Sequence, residues 1–291
     1  MLWPMPAKYR LGALDLAIIS DGSFYQDAGA VFGIVPRVMW EPYAGRLDDR
    51  HRMSLALNSV VLRSQGKLVL IETGVGDKPR TARDNSTPLE QGNLLQELAA
   101  LGIRPEDIDV VINTHLHFDH CGWNTRYVDG QLALTFPNAE YVIMRGEWEA
   151  AQHPNERTRA TYLAENLAPL AGSDHLHLID GEHRVTDEIT VVPTPGHSEG
   201  HASVVLASGG ETAVYIGDMA QAVVQLERTA WVSSFDILPL VSMETKKALM
   251  ERAIREGSVI ISVHAPFPGL GRMTLTEQNF RKWVPVEAEQ R

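Results

Sequence analysis

Between Thr114 and Cys121 the chain reads His115, Leu116, His117, Phe118, Asp119, His120: three imidazoles and a carboxylate within six residues. Side chains of this kind are costly to dehydrate together unless something binds their lone pairs. A divalent cation is the partner they suit, because neutral imidazole and carboxylate oxygen are ligands of zinc and its first-row neighbours. A loop whose side chains alternate in direction can aim His115 and His117 at one ion and Asp119 and His120 at a second, so the spacing suggests two ions. The plainer reading is a solvated surface cluster. It does not explain why four such groups follow directly on the apolar run Ile108 to Ile112.

Six residues cannot complete the shells of two ions, so further ligands must lie downstream. Three candidates stand out: His197 in Thr194-Pro195-Gly196-His197-Ser198, Asp218 in Tyr215-Ile216-Gly217-Asp218, and His264 in Ile261-Ser262-Val263-His264-Ala265-Pro266. Each ends an apolar, strand-like segment. Strand ends of a sheet gather along one edge, where loops on a rigid frame commonly carry a site. Cys121 adjoins the loop and reads as a small residue packed beneath the ligands.

The series His115-x-His117-x-Asp119-His120, then His197, Asp218 and His264, resembles the ligand set of the dinuclear branch of the metallo-β-lactamase superfamily. Leu68 to Gly76 resembles the family's strand and glycine turn before the metal loop, and Thr194 to His201 its Thr-Pro-Gly-His segment. At finer grain the chain resembles the methyl parathion hydrolase and N-acyl homoserine lactone lactonase subgroup. The resemblance implies an α/β fold, a four-layer αββα sandwich, and two divalent ions, zinc first, with Mn, Co or Fe as alternatives. It places His115, His117 and His197 on one ion, Asp119, His120 and His264 on the other, and Asp218 between them. Two close cations would lower the pKa of a shared water and so supply the nucleophile for hydrolysis of a lactone, ester or phosphotriester. Asp119 is the candidate proton acceptor. Two departures stand: Glu72 precedes Thr73-Gly74 where the family usually has Asp, and Met219, Ala220 and Gln221 follow Asp218 where lactone-cleaving relatives often carry Tyr.

Other readings use the same residues. A glutathione thioesterase of the glyoxalase II kind and a diiron redox protein belong to the same superfamily. Gly196-His197-Ser198-Glu199-Gly200 also matches a serine-hydrolase nucleophile elbow, with Asp218 and His264 following in triad order. That elbow must lead from strand into helix. Here Ala202-Ser203-Val204-Val205-Leu206 follows, which reads as a strand.

The elements that must position these residues are legible in outline. Leu14 to Ile19, Leu55 to Arg63, Lys67 to Ile71, Ile108 to Ile112, Ile189 to Val192, Ala202 to Leu206, Ala213 to Ile216 and Val259 to Val263 read as strands. Leu89 to Leu101, Glu147 to Gln152, Arg157 to Leu167 and Met243 to Arg255 read as helices, the last with Ser242 as N-cap and Gly257 as its stop. Strands followed by a helix, twice over, fit two sheets face to face with helices outside. One domain over residues 1–291 is expected, with 28–53 as a lid or site-lining segment. Phe32, Trp40 and Tyr43 belong to that lid candidate, and Trp123, Met219, Trp231 and Phe267, which adjoin ligand-bearing segments, are candidates for an apolar pocket wall.

Of 291 residues, 44% are apolar, as in an ordinary globular protein, and the net charge is −11. That charge excludes nucleic acid and anionic membrane surfaces as partners, since both need concentrated Lys and Arg. A small-molecule substrate with an apolar portion is expected, with a homodimer left open. One cysteine permits no intrachain disulfide, the segment Met1 to Lys8 lacks a secretory apolar core, and no run of about 18 apolar residues occurs. Cytoplasmic residence is the resulting expectation.

Overall fold

The computed structural model describes residues 5–78, 89–91 and 94–290. Two mixed sheets face each other. The first takes in strands Ala7–Leu11, Leu14–Asp27, Arg52–Ser64, Lys67–Ile71, Val110–Ile112, Glu140–Met144 and Leu176–Ile179; the second runs from His183–Thr186 through Ile189–Pro193, Ala202–Ser208, Glu211–Tyr215, Val259–Ile261 and Leu270–Leu275 to Arg281–Pro285.

Period-two alternation explains the layering. Val60 and Leu62 face the space between the sheets while Val61 faces outward; Val69 and Ile71 turn in and Leu68 and Leu70 out. The second sheet answers with Val204, Leu206, Tyr215, Val259 and Ile261 inward, and Val205, Val214 and Ile260 outward. Helix Leu94–Ala100 and helix Arg145–Gln152 cover the outer face of the first sheet through Leu94, Leu98, Trp148 and Ala151. Helix Pro239–Glu256 covers the second through Leu249, Met250 and Ala253. The result is the expected αββα sandwich.

Several expected elements differ. The segment Leu89 to Leu101 is not one helix: Leu89–Gln91 pairs as a strand with Gly22 to Phe24, residues 92–93 lie outside the described residues, and the helix is Leu94–Ala100. Arg157 to Leu167 is a run of turns with one short 3-10 turn, Ala164–Asn166. There the Asn155 side chain takes the backbone N–H of Arg157 and of Thr158, offering the chain an alternative to helical bonds. The long helix begins at Pro239, whose missing N–H costs nothing at a first turn, so Ser242 lies inside it. Gly257 does end it, with φ of 64°. Among the described residues no helix is long and apolar enough to cross a membrane.

The strands whose C-terminal ends carry the candidate ligands come from both sheets, with Glu211–Tyr215 and Val259–Ile261 adjacent in the second. Val110–Ile112 runs parallel to Lys67–Ile71, and Glu211–Tyr215 parallel to Val259–Ile261, so their exits open on the same edge of the sandwich.

Candidate active site

All seven candidate residues meet at that edge, every one of them buried. Ligand atoms of His115, His117 and His197 lie within 4.8 Å of one another, and so do those of Asp119, His120 and His264. Asp218 stands between the two sets. Its Oδ1 is 2.8 Å from His264 Nε2 and 3.2 Å from His120 Nε2, and its Oδ2 is 3.3 Å from His197 Nε2. Asp119 Oδ2 is 3.5 Å from His120 Nε2 and 3.7 Å from His264 Nε2.

The rings are held from behind. His197 Nδ1 meets Asp236 at 2.9 Å, His264 Nδ1 meets the Ala56 carbonyl at 2.8 Å, and His115 Nδ1 meets Thr114 Oγ1 at 3.1 Å. His120 Nδ1 lies 3.3 Å from Glu72 Oε2, while Glu72 Oε1 accepts the Thr114 N–H at 2.7 Å. Glu72 therefore supports the His120 ring and the Thr114 backbone together. These contacts leave the Nε2 atoms of His115, His120 and His264 pointing at the centre. Those three atoms and Asp218 Oδ1 are fully buried without a hydrogen-bonding partner among the described residues. Four orphaned lone-pair donors aimed inward are what divalent cations would satisfy, so the residues fit a pair of such ions.

Burial and mutual charge act differently on the residues of the centre. Burial and the surrounding imidazoles hold His115 and His117 well below the usual histidine range, which keeps them neutral. Burial also disfavours a charged His120, but Asp218, Asp119 and Glu72 outweigh it and lift that group well above its ordinary value. Burial would raise Asp218; His264, His120 and His197 overcome it and hold the carboxyl well below its usual range.

Residues with no ligand-like signal in the sequence complete the frame. His201 Nε2 accepts the Asp218 N–H at 3.0 Å while its Nδ1 contacts the Thr194 carbonyl at 2.9 Å, and burial pulls its pKa down to about 4, so it serves as a neutral brace for Asp218. Gln221 Nε2 donates to Asp218 Oδ2 at 3.1 Å and its Oε1 accepts from Ser233 at 2.9 Å. The substitution Gln221→Met, which keeps the shape and removes the amide, is expected to weaken metal retention about 10-fold, measured by competition with a chelating dye. Cys121 packs beneath the loop, its thiol donating to the Leu116 and His117 carbonyls, and burial pushes its pKa up to about 12.

Ser198 is not an elbow nucleophile. Its hydroxyl donates to Glu147 at 2.5 Å, and strand Ala202–Ser208 follows it instead of a helix. Gly200 beside it is a close approach: a Cβ there would lie 2.1 Å from the Glu147 backbone nitrogen. Gly200→Ala is expected to cost about 3 kcal/mol, read from denaturant unfolding at fixed metal concentration.

Two cavities flank the centre. One of about 280 Å³ borders His117, Asp119, His197 and Asp218 and is walled by Phe24, Leu55, Phe118, Phe235 and Ile237. The other, about 770 Å³, borders His264 and carries Arg46, Asp48, Asp49 and Arg52; Gln221 touches both. Most of the aromatic residues picked out from sequence are elsewhere. Phe32 stacks on Trp40 at 5.1 Å and meets Trp231 edge-on at 6.0 Å in a satellite core, and Trp123, Met219 and Phe267 pack in or against the other cores. Within 28–53, Tyr43 to Asp49, Arg52 and Met53 line the larger cavity.

Fold and site define a class. Residues 55–255 match the metallo-beta-lactamase superfamily, and the chain belongs to it. The chain is similar to an N-acyl homoserine lactonase of Bacillus sp, 27% identical over 176 residues, which is 60% of this chain and 63% of that protein. A Bacillus cereus protein of the same name is 30% identical over 168 residues, 53% and 59% of the two chains, so these matches span about three fifths of the curated relatives' length. Among solved structures, a probable metal-dependent hydrolase from Staphylococcus aureus superposes with a TM-score of 0.84 at 23% identity, covering 96% of this chain and 99% of that one. AidC, a dizinc quorum-quenching lactonase, superposes at 0.80 with 22% identity and 98% coverage of both chains. Both likenesses concern the fold.

Proposed function

We propose that this protein is a dinuclear metal-dependent hydrolase that opens lactones bearing an apolar acyl portion, with zinc as the metal. The observation that carries this reading is Asp218, whose two carboxylate oxygens face different histidine sets. His115, His117 and His197 would hold one ion, Asp119, His120 and His264 the other, and Asp218 both. A cation pair so bound supplies a water-derived nucleophile near neutral pH and polarises the scissile carbonyl.

The chain's own groups do the rest. Asp119 lines the smaller cavity and is the carboxylate placed to take up the proton released on attack. Phe24, Leu55, Phe118, Phe235 and Ile237 exclude water and seat an acyl chain. Phe24 also meets the His264 ring edge-on at 5.6 Å, so the apolar wall and the ligand shell are one packed unit. The relatives named as lactonases favour a lactone over the phosphotriester that the same nucleophile could attack.

One purified preparation assayed against an N-acyl homoserine lactone, an aryl ester, a dialkyl aryl phosphate and a glutathione thioester tests the reading. The lactone is expected to turn over fastest, with two zinc equivalents per chain by elemental analysis and loss of turnover in chelator. A preference for the thioester, stoichiometric iron with a visible spectrum, or chelator-resistant activity would each overturn it.

A further inference from the structure

Glu147 has no part in the chemistry above, yet it is completely buried. Its three hydrogen-bond donors are all neutral: the Leu116 N–H at 2.9 Å, the Tyr162 hydroxyl at 3.0 Å and the Ser198 hydroxyl at 2.5 Å. These donors come from the segments that surround one half of the centre. Leu116 lies between His115 and His117, Ser198 follows His197, and the Tyr162 ring lies 5.0 Å from that of His117. A carboxylate buried among neutral donors is expensive unless positive charge lies close by.

A second glutamate shows the same construction on the other side. Glu72 takes the Thr114 N–H with one oxygen and turns the other toward His120. Two buried glutamates thus grip the metal loop at alternate residues, 114 and 116, one leaning on each half. The three-histidine half has no carboxylate ligand besides the shared Asp218, whereas the other half has Asp119 as well. Glu147 is the carboxyl group packed behind that half.

We infer that Glu147 is a positioning residue for the three-histidine half-site: it ties the His117 loop to the His197 loop and sets the affinity of that half for its cation. The inference rests on the dinuclear reading above. It makes Gly200 intelligible, since the bare backbone there lets the helix carrying Glu147 approach the His197 loop.

Zinc titration of apoprotein in two backgrounds tests it. In His264→Ala the remaining tight site is the three-histidine half, and adding Glu147→Gln is expected to weaken it about 10- to 100-fold. In His197→Ala the remaining site is the other half, and the same substitution is expected to change affinity less than about 3-fold. Ser198→Ala and Tyr162→Phe, each removing one donor, should weaken the first background in the same direction and serve if Glu147→Gln does not fold. Equal effects in both backgrounds, or none in either, would overturn the assignment of Glu147 while leaving the dinuclear site standing. Wild-type apoprotein that takes up no zinc would instead overturn the site itself. Comparison of the two backgrounds separates the clamp from general destabilisation, because Glu147→Gln should shift zinc affinity in one background only, whatever its melting temperature.

Discussion

Asp218→Ala is expected to empty both half-sites at once and to lower kcat/KM by a factor on the order of 10³ or more, about 4 kcal/mol of transition-state stabilisation. Of the two candidate carboxylates, Asp119 approaches only His120 and His264, whereas Asp218 faces both sets: Oδ1 approaches His120 and His264, and Oδ2 approaches His197. Replacing a ligand of one half, such as His264, should leave the opposite ion bound. Elemental analysis of the two variants after identical dialysis discriminates them. Equal zinc in Asp218→Ala and wild type, with turnover retained, would remove the bridging assignment. Stability should suffer less than activity, since Gln221 loses its carboxylate partner but the Asp218 backbone N–H still reaches His201 and the surrounding strands remain paired.

Asp21→Ala is expected to have the largest effect on stability, about 4 kcal/mol, or a fall in Tm of roughly 10 °C. This buried carboxylate accepts from the Val75 N–H at 2.8 Å, the Gly76 N–H at 3.1 Å, the Leu94 N–H at 2.8 Å and the Trp123 indole at 2.9 Å. It therefore anchors the glycine turn, the helix Leu94–Ala100 and the residues just after the metal loop to one point. Burial raises its pKa from 3.8 to about 6, against the lowering effect of those same donors. A carboxyl whose folded pKa lies above the unfolded one adds stability that is complete below 3.8 and is lost as pH rises through about 6. Wild type should accordingly lose about 1 kcal/mol more than Asp21→Ala between about pH 5 and pH 7. Parallel unfolding profiles of the two chelated proteins would refute this.

How much was legible beforehand follows from what each residue needs. The seven side chains that converge at the sandwich edge stood out because His and Asp at the ends of apolar runs have few structural uses, and the sheets because Val60 to Leu62 and Val204 to Leu206 alternate strictly between faces. Glu147, Asp236 and Asp21 were not, because each is an ordinary polar residue locally and acquires its role from groups far along the chain, 51 positions for Ser198 to Glu147, 39 for His197 to Asp236 and 102 for Trp123 to Asp21. The turns after Asn155 were misread as a helix because a side chain, not a periodic pattern, decides the backbone there. Aromatic residues were a poor guide to the cavity for a related reason: Phe32, Trp40 and Trp231 satisfy one another, leaving Phe24, Phe118 and Phe235 to form its wall.

One arrangement reaches beyond chemistry. The loop from 115 to 120 leaves the first sheet, while His197, Asp218 and His264 leave the second. Cations seated there would rivet the two halves of the sandwich across a seam otherwise joined by side-chain packing and a few hydrogen bonds, such as that from the Ala202 N–H to the Thr114 carbonyl at 2.8 Å. Resistance to heat should then climb with the logarithm of free zinc, by RT ln(1 + [L]/Kd) for each ion held only by the folded chain. Metal supply in the cell would govern how long the protein survives as well as how fast it works.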